Sequence, residues 1–298
     1  MPGMLDGKVA IITGAGRGLG RSHALAFAAE GARVVVNDYA PAGSENPADA
    51  VVTEIEAAGG TAISHTGDVA DWDTAQAMIH LAVDTWGQLD VLVNNAGILR
   101  DRMLFNMSEE EWDAVIRVHL KGHFCPSRHA VEHWRNESKT ADGPVYGRII
   151  NTSSEAGLLG SAGQPNYATA KGGIIQLTLS TAQGMARYGV TANAIAPRAR
   201  TQMTEDLGGF DATDGDFEVF APENVSPLVA YLGSPDAARI SGQVFVVWGR
   251  QISVLAGPTV ARQFETPEHH WTSKAVDAAL TPFYESREPI RDGFLLHY

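Results

Sequence analysis

Thr13-Gly14-Ala15-Gly16-Arg17-Gly18-Leu19-Gly20 is the stretch that decides the fold. A short β-branched apolar run, Lys-Val-Ala-Ile-Ile-Thr, ends at its first residue, and an alanine-rich pattern with helical period runs from Leu19 to Glu30. Strand, glycine turn and helix in that order place backbone amides at a helix N-terminus, where they can hold a pyrophosphate. The spacing is GxxxGxG, from Gly14 through Gly18 to Gly20, with Gly16 as an extra glycine. Taken alone, such a string also suits an ordinary glycine-rich turn.

Working outward, the next apolar run, Arg33 to Asn37, is followed by Asp38, 18 residues after Gly20. A carboxylate at a strand end there can accept hydrogen bonds from both ribose hydroxyls and repels a 2′-phosphate, which favours NAD(H) over NADP(H). Arg17 could attract that phosphate, and Asp38 also suits a simple turn. The alternation then continues with a helix near 48–58, a strand near 61–65, a helix near 71–86 and a strand at 89–93. A helix over 108–135, a polar stretch at 136–147, a strand at 148–152, a helix over 166–188 and a strand at 190–196 come next. With a helix near 222–233 and a strand at 243–247, the pattern predicts an α/β, doubly wound, seven-stranded parallel sheet. Residues 1–250 form the catalytic Rossmann-type domain in this reading, and residues 251–298 a C-terminal extension whose prolines break it into short pieces. Residues 201–221 have few apolar anchors and read as a mobile loop over the site.

Composition limits the partners. Of 298 residues, 44% are hydrophobic and 19% charged, and no apolar run approaches the roughly 18 residues of a membrane span. A net charge of −13 works against a nucleic-acid partner. The single cysteine, Cys125, rules out an intrachain disulfide, and with an N-terminus lacking a basic flank and apolar core the expected location is the cytoplasm. His269-His270 has no further ligand at useful spacing, so no metal is expected.

Tyr167 and Lys171 stand four residues apart on a predicted helix and project from one face. A free tyrosine has a pKa near 10, and a neighbouring ammonium stabilises its phenolate. Thirteen residues upstream of Tyr167, Ser154 follows a strand and brings a hydroxyl to the carboxyl edge of the sheet, where doubly wound folds bind ligands. Asp68-Val69, after the third strand, could hold an adenine edge, although Asp68 would equally suit the N-cap of helix 71–86.

Thr13 to Gly20, Asn94-Asn95-Ala96-Gly97, Ser154, Tyr167 to Lys171 and Asn193-Ala194-Ile195-Ala196-Pro197 together resemble the ordered motifs of the short-chain dehydrogenases/reductases, over about residues 5–250. The resemblance implies hydride transfer between a nicotinamide and a secondary alcohol or ketone, with Tyr167 as acid/base and Ser154 orienting the oxygen. It implies that Lys171 also binds the nicotinamide ribose, that Asn94 braces the sheet, that Asn95, Ala96 and Gly97 border the cofactor, and that Pro197 and Thr201 reach the carboxamide. His119 stands where the family usually has a helix asparagine, and reads either as a substitute proton relay or as a structural histidine. Arg198 replaces a common glycine, to alter nicotinamide contacts or face the substrate entrance.

In finer detail, Gly97 to Asp101, Val118 to Gly122 and Gly163 to Tyr167 resemble the (3R)-hydroxyacyl-CoA dehydrogenase domain of the peroxisomal multifunctional enzyme and similar bacterial hydroxyacyl-CoA and steroid dehydrogenases. A 3-hydroxyacyl-CoA is the substrate this implies, with Arg100, Arg102, Arg198 and Arg200 available to CoA phosphates or simply solvated. A steroid or terpenoid alcohol is the alternative, and a non-catalytic NAD-binding scaffold a remote one. The family implies a homotetramer or homodimer.

Overall fold

A computed structural model describes residues 2–201, 213–267, 269–285 and 287. The strands are β1 (Val9–Thr13), β2 (Arg33–Asp38), β3 (Thr61–Thr66), β4 (Val91–Asn94), β5 (Gly147–Thr152), β6 (Val190–Pro197), β7 (Thr213–Asp214), β8 (Phe217–Glu218), β9 (Val244–Trp248) and β10 (Gln251–Val254). The helices are α1 (Gly18–Ala29), α2 (Pro47–Ala57), α3 (Trp72–Trp86), α4 (Glu109–Ile116), α5 (Gly122–Ala141), α6 (Ala156–Leu159), α7 (Pro165–Met185), α8 (Ser226–Gly233) and α9 (Ser273–Glu285). The main sheet runs β3-β2-β1-β4-β5-β6-β9-β10, and the first seven of these strands are parallel. Strand order reverses between β1 and β4, so the crevice at their carboxyl ends is the expected ligand position.

Both faces of the sheet are covered, which explains why β1, β4 and β5 are buried at every position. Along β1, Ala10 and Ile12 join the core beneath α1, α2 and α8 with Phe27, Ile55 and Val229, all buried. Val9 and Ile11 point the other way, to Met78, Ala130 and Trp134 of α3 and α5. Trp134 is fully buried, and its indole N–H donates to the Leu89 carbonyl at 2.6 Å, so the largest core side chain leaves no polar atom unsatisfied.

Several local expectations change. The sheet has an eighth strand: β10 turns back from β9 through Gly249 (φ +52°) and pairs antiparallel, so residues 251–254 extend the sheet. The helix expected over 108–135 is two helices joined by one π-helical turn, Arg117–Lys121. It opens on a capping box, in which Ser108 Oγ accepts from Glu111 N at 3.1 Å and Glu111 Oε2 accepts from Ser108 N at 3.0 Å. Its second half also runs into the stretch expected to be irregular, to Ala141, because Ser138 and a left-handed Asp142 (φ +49°) supply a C-terminal cap there. Residues 213–218 form a small antiparallel hairpin, and residues 202–212 of the expected loop lie outside the described residues. Within the tail, α9 is a helix of 13 residues with Pro282 near its end and no buried residue. Among the described residues no helix is long and apolar enough to cross a membrane, and no cluster of side chains could hold a metal.

Candidate active site

A cleft of about 680 Å3 opens at the carboxyl ends of β1, β4 and β5, a size typical of small-molecule sites. One end is the glycine turn. Gly18 has φ +53°, and among the described residues a side chain there would meet only Thr201, whereas a Cβ on Gly20 would lie 2.1 Å from the Gly14 carbonyl oxygen. Gly18 therefore gives the turn its conformation, and Gly20 lets α1 close against it. The N-cap of α1, Arg17, provides no side-chain cap, so its first-turn amides face the cleft through Gly18 and Leu19 without one. That cradle fits a pyrophosphate group.

Asp38 ends β2 at the rim of the same cleft. Its Oδ2 accepts from Gly16 N and its Oδ1 from Tyr39 N, both at 2.7 Å, so two backbone amides fix the carboxylate beside the turn. Asp68 Oδ1 accepts from Ala70 N at 2.8 Å, and its other oxygen is ion-paired with Arg117. Asp68 is thus not the N-cap of α3; that is Asp71, which accepts from Thr74 N at 2.8 Å. Val69 lines the cleft beside Asp68.

The middle of the cleft is built by β4 and the loop after it. Asn94 Nδ2 donates to Asn151 Oδ1 and to Ser127 Oγ, each at 2.9 Å, bracing β4 against β5 and α5. Asn95 Nδ2 donates to the carbonyls of Thr13 and Gly14, which anchors the glycine turn to β4. Ala96 approaches Gly14 so closely that a Cβ on Gly14 would lie 2.7 Å from Ala96 Cα. A Cβ on Gly97 would lie 2.3 Å from His119 Cε1, so that ring occupies the space a side chain would need.

Tyr167, Lys171 and Ser154 meet at the other end. The first two are one turn apart on α7, which starts on Pro165 at a position that suits proline. Lys171 Nζ donates to the Thr152 carbonyl at 2.6 Å and lies 5.4 Å from the centre of the Tyr167 ring. Ser154 is close enough to the Tyr167 side chain to influence its titration, and Ser154 Oγ accepts from Ala156 N at 3.2 Å. Burial pushes the Tyr167 hydroxyl up to about 12, partly offset by Ser154, and brings Lys171 down to about 7. Desolvation is the largest cause for both groups, and the lysine hydrogen bond goes to a carbonyl.

His119 is buried on the π-helical turn and meets the Tyr167 ring edge to face, with centres 5.1 Å apart and planes at 89°. Its Nε2 lies 2.7 Å from the Ile98 carbonyl oxygen, the shorter of two contacts to Ile98, and Nδ1 has no partner among the described residues. Burial, with the Lys171 charge second, holds the ring neutral with its pKa well below the usual histidine range.

Of the catalytic and cofactor-contacting residues singled out from sequence, Gly20 and Ser154 do not line the cleft; Gly20 packs behind the turn and Ser154 stands just past Thr152 and Ser153, which do. Arg100, considered for the CoA phosphates, lines it as well, and Tyr39, Ile98, Leu99, Val118 and Ala199 do so without having been assigned a place there from sequence. Each adjoins a motif residue, which is the signal that could have found them. Three of the four arginines considered for phosphates are committed to carboxylates: Arg102 to Glu111, Arg198 to Glu155 and Arg200 to Glu218. Arg198 faces Glu155 rather than the cleft.

The short chain dehydrogenase family matches residues 8–210, which include this whole constellation. The chain belongs to that family. This short-chain dehydrogenase is 50% identical to the hydroxyacyl-CoA dehydrogenase ChsB1 of Mycobacterium tuberculosis, over 96% of this chain and 91% of that protein. It is 42% identical to the mouse peroxisomal multifunctional enzyme type 2, over 85% of this chain but only 33% of that longer protein. A short-chain dehydrogenase crystal structure from Mycobacterium avium superposes with a TM-score of 0.86 at 51% identity, covering 97% of this chain and 99% of that one. The chain is an oxidoreductase acting on a CH–OH group with a nicotinamide cofactor, as its family does.

Proposed function

We propose that this dehydrogenase interconverts a 3-hydroxyacyl-CoA and its 3-oxoacyl-CoA with NAD(H), using Tyr167 as acid/base. The observation that carries the reading is the convergence of Ser154, Tyr167 and Lys171 at one end of a cleft whose other end is an uncapped helix N-terminus. The name of the hydroxyacyl-CoA dehydrogenase relative, similar along nearly its full length, supports the substrate class. Arg100 supports it too: it lines the cleft, its Nη1 donates to the Leu99 carbonyl at 2.6 Å, and among the described residues it has no ion pair.

In this reading Gly14, Gly18 and Leu19 cradle the pyrophosphate and Asp38 takes the adenosine ribose, its fixed charge disfavouring a 2′-phosphate. Val69 borders the adenine; Asn95, Ala96, Gly97, Pro197 and Thr201 wall the rest, and Lys171 reaches the second ribose. Bound there, the nicotinamide supplies or accepts the hydride. Ser154 holds the substrate oxygen. In reduction Tyr167, protonated at neutral pH, gives its proton to that oxygen as negative charge develops on it, and Lys171 stabilises the phenolate left behind. In oxidation the same groups act in reverse. His119, neutral and fixed on Ile98, steadies the Tyr167 ring and the Gly97–Ile98 backbone instead of relaying protons. The assembly is a homodimer or homotetramer.

A steroid or terpenoid alcohol is the second reading, favoured by the apolar wall of Ile98, Leu99 and Val118 and by the three neutralised arginines. Turnover of acetoacetyl-CoA and longer 3-oxoacyl-CoA chains is compared with that of free ketosteroids; activity on the steroids alone removes the CoA assignment. Tyr167→Phe should lose nearly all turnover while NADH binding, read by nicotinamide fluorescence, persists. Unaltered turnover would refute Tyr167 as acid/base and leave the scaffold reading open.

A further inference from the structure

The loops that leave β5 and β6 are joined by an ion pair that the chemistry above does not use. Glu155 directly follows Ser154, and Arg198 directly follows Pro197. Arg198 Nε donates to Glu155 Oε2 at 2.7 Å and Nη2 donates to Oε1 at 2.8 Å, the two-pronged geometry only arginine provides. The Glu155 side chain is 4% exposed and that of Arg198 13%. The guanidinium also lies 4.9 Å from the Trp248 ring centre, and Trp248 stacks on Phe220 with centres 5.5 Å apart.

Arg198 is held along its backbone as well, where its N–H donates to the Val247 carbonyl at 3.0 Å and that of Arg200 to the Phe220 carbonyl at 2.7 Å. The extended segment alternates: Pro197, Ala199 and Thr201 line the cleft, whereas Arg198 and Arg200 turn away to carboxylates. Upstream of Ser154, Ser153 is tied to the sheet and to α7, with its N–H on the Ile195 carbonyl at 2.7 Å and its Oγ on the Lys171 carbonyl at 2.8 Å. Downstream, the chain enters the four-residue α6, and the buried carboxylate of Glu155 is the charged anchor at that point. A buried carboxylate separated from its cation is left without solvation, so parting the two loops is costly.

We propose that the Glu155–Arg198 pair positions Ser154: it ties the serine loop to the Pro197–Thr201 wall of the cleft and so sets Ser154 Oγ against Tyr167. This rests on the reading of Ser154 as the residue that holds the reacting oxygen. Glu155 and Arg198 are positioning residues in this scheme and touch neither substrate nor cofactor.

The test is Glu155→Gln in the full chain, alone and combined with Ser154→Ala, assayed with NADH and acetoacetyl-CoA. Alone it should lower kcat about 10-fold while the NADH Kd stays within about 2-fold; on the Ser154→Ala background it should cost less than about 2-fold, because an effect exerted through Ser154 vanishes with it. Equal losses on both backgrounds, or no loss on the native one, overturn the proposal. If Glu155→Gln does not fold, as read by circular dichroism, Arg198→Lys replaces it: it keeps the charge, breaks the fork, and should show the same dependence on Ser154. A fully active Ser154→Ala enzyme would overturn the reading of Ser154 itself. An impaired Ser154→Ala enzyme beside a fully active Glu155→Gln enzyme overturns the clamp alone.

Discussion

Acidification from pH 7 to pH 5 acts on this fold through histidines sealed in its interior. His23 of α1 is fully buried, with Nδ1 2.8 Å from Ser226 Oγ, and His123 of α5 is 1% exposed. Burial holds each at about 3, against 6.5 for the free side chain. The native state keeps both rings neutral, whereas the unfolded chain protonates them near pH 6.5. Between pH 6.5 and 3 the unfolded state therefore binds more protons, and stability falls as pH falls. At pH 5 the difference is about 1.5 pH units for each ring, roughly 2 kcal/mol, so the pair removes about 4 kcal/mol. That is a large share of the 5–15 kcal/mol typical of a whole domain. Urea unfolding followed by circular dichroism at pH 7.5, 6 and 5 measures the loss. His23→Asn retains a partner for Ser226 without a titrating ring, and should recover about 2 kcal/mol of the acid-induced loss relative to its own value at pH 7.5. A native midpoint that does not move between pH 7 and 5, or a variant with the same pH slope as its parent, would refute the reasoning.

Two other outcomes are expected at the site. Lys171→Met should abolish turnover yet raise the melting temperature at neutral pH, because burial brings the ammonium down to about 7 from 10.5 and the unfolded chain holds that proton more firmly throughout the interval. The gain is on the order of 4 kcal/mol at pH 7 and fades as pH approaches 10.5; a lower melting temperature at pH 7 contradicts it. Asp38→Ala should raise the NADP-to-NAD ratio of kcat/KM by at least about 10-fold, and an unchanged ratio would show that Asp38 does not reach the ribose.

The features legible in the sequence are local ones. The glycine turn, the strand-end Asp38 and the Tyr167–Lys171 spacing are each set within one element and its neighbour, and the structure brings them to one cleft. The features that escaped depend on partners distant along the chain. Arg198 carried no sign that Glu155, 43 residues earlier, would take it. His119 was visible as a departure from the family pattern, but its contact with Ile98 exists only once β4 and the π-helical turn are packed together. Spacing shows that Tyr167 and Lys171 are adjacent and says nothing of how deeply both are buried, which is what pushes the tyrosine up and the lysine down. β10 was grouped with the tail because the alternating pattern that marks parallel strands stops one strand before it.

The π-helical turn also makes this stretch sensitive to length. A π turn accommodates one residue more than an α-helical turn would and keeps the flanking helices in phase, so deleting one residue from Arg117–Lys121 lets the ladder relax to ordinary α-helix and removes the widened turn that presents His119, whereas adding one more rotates one flank against the other by about 100°. With α4 held by its packing on α7 and α5 by Trp134, no rotation satisfies both. Substitutions that keep size should be absorbed here; a change in residue count would turn His119 off Ile98 and unseat the wall behind Tyr167.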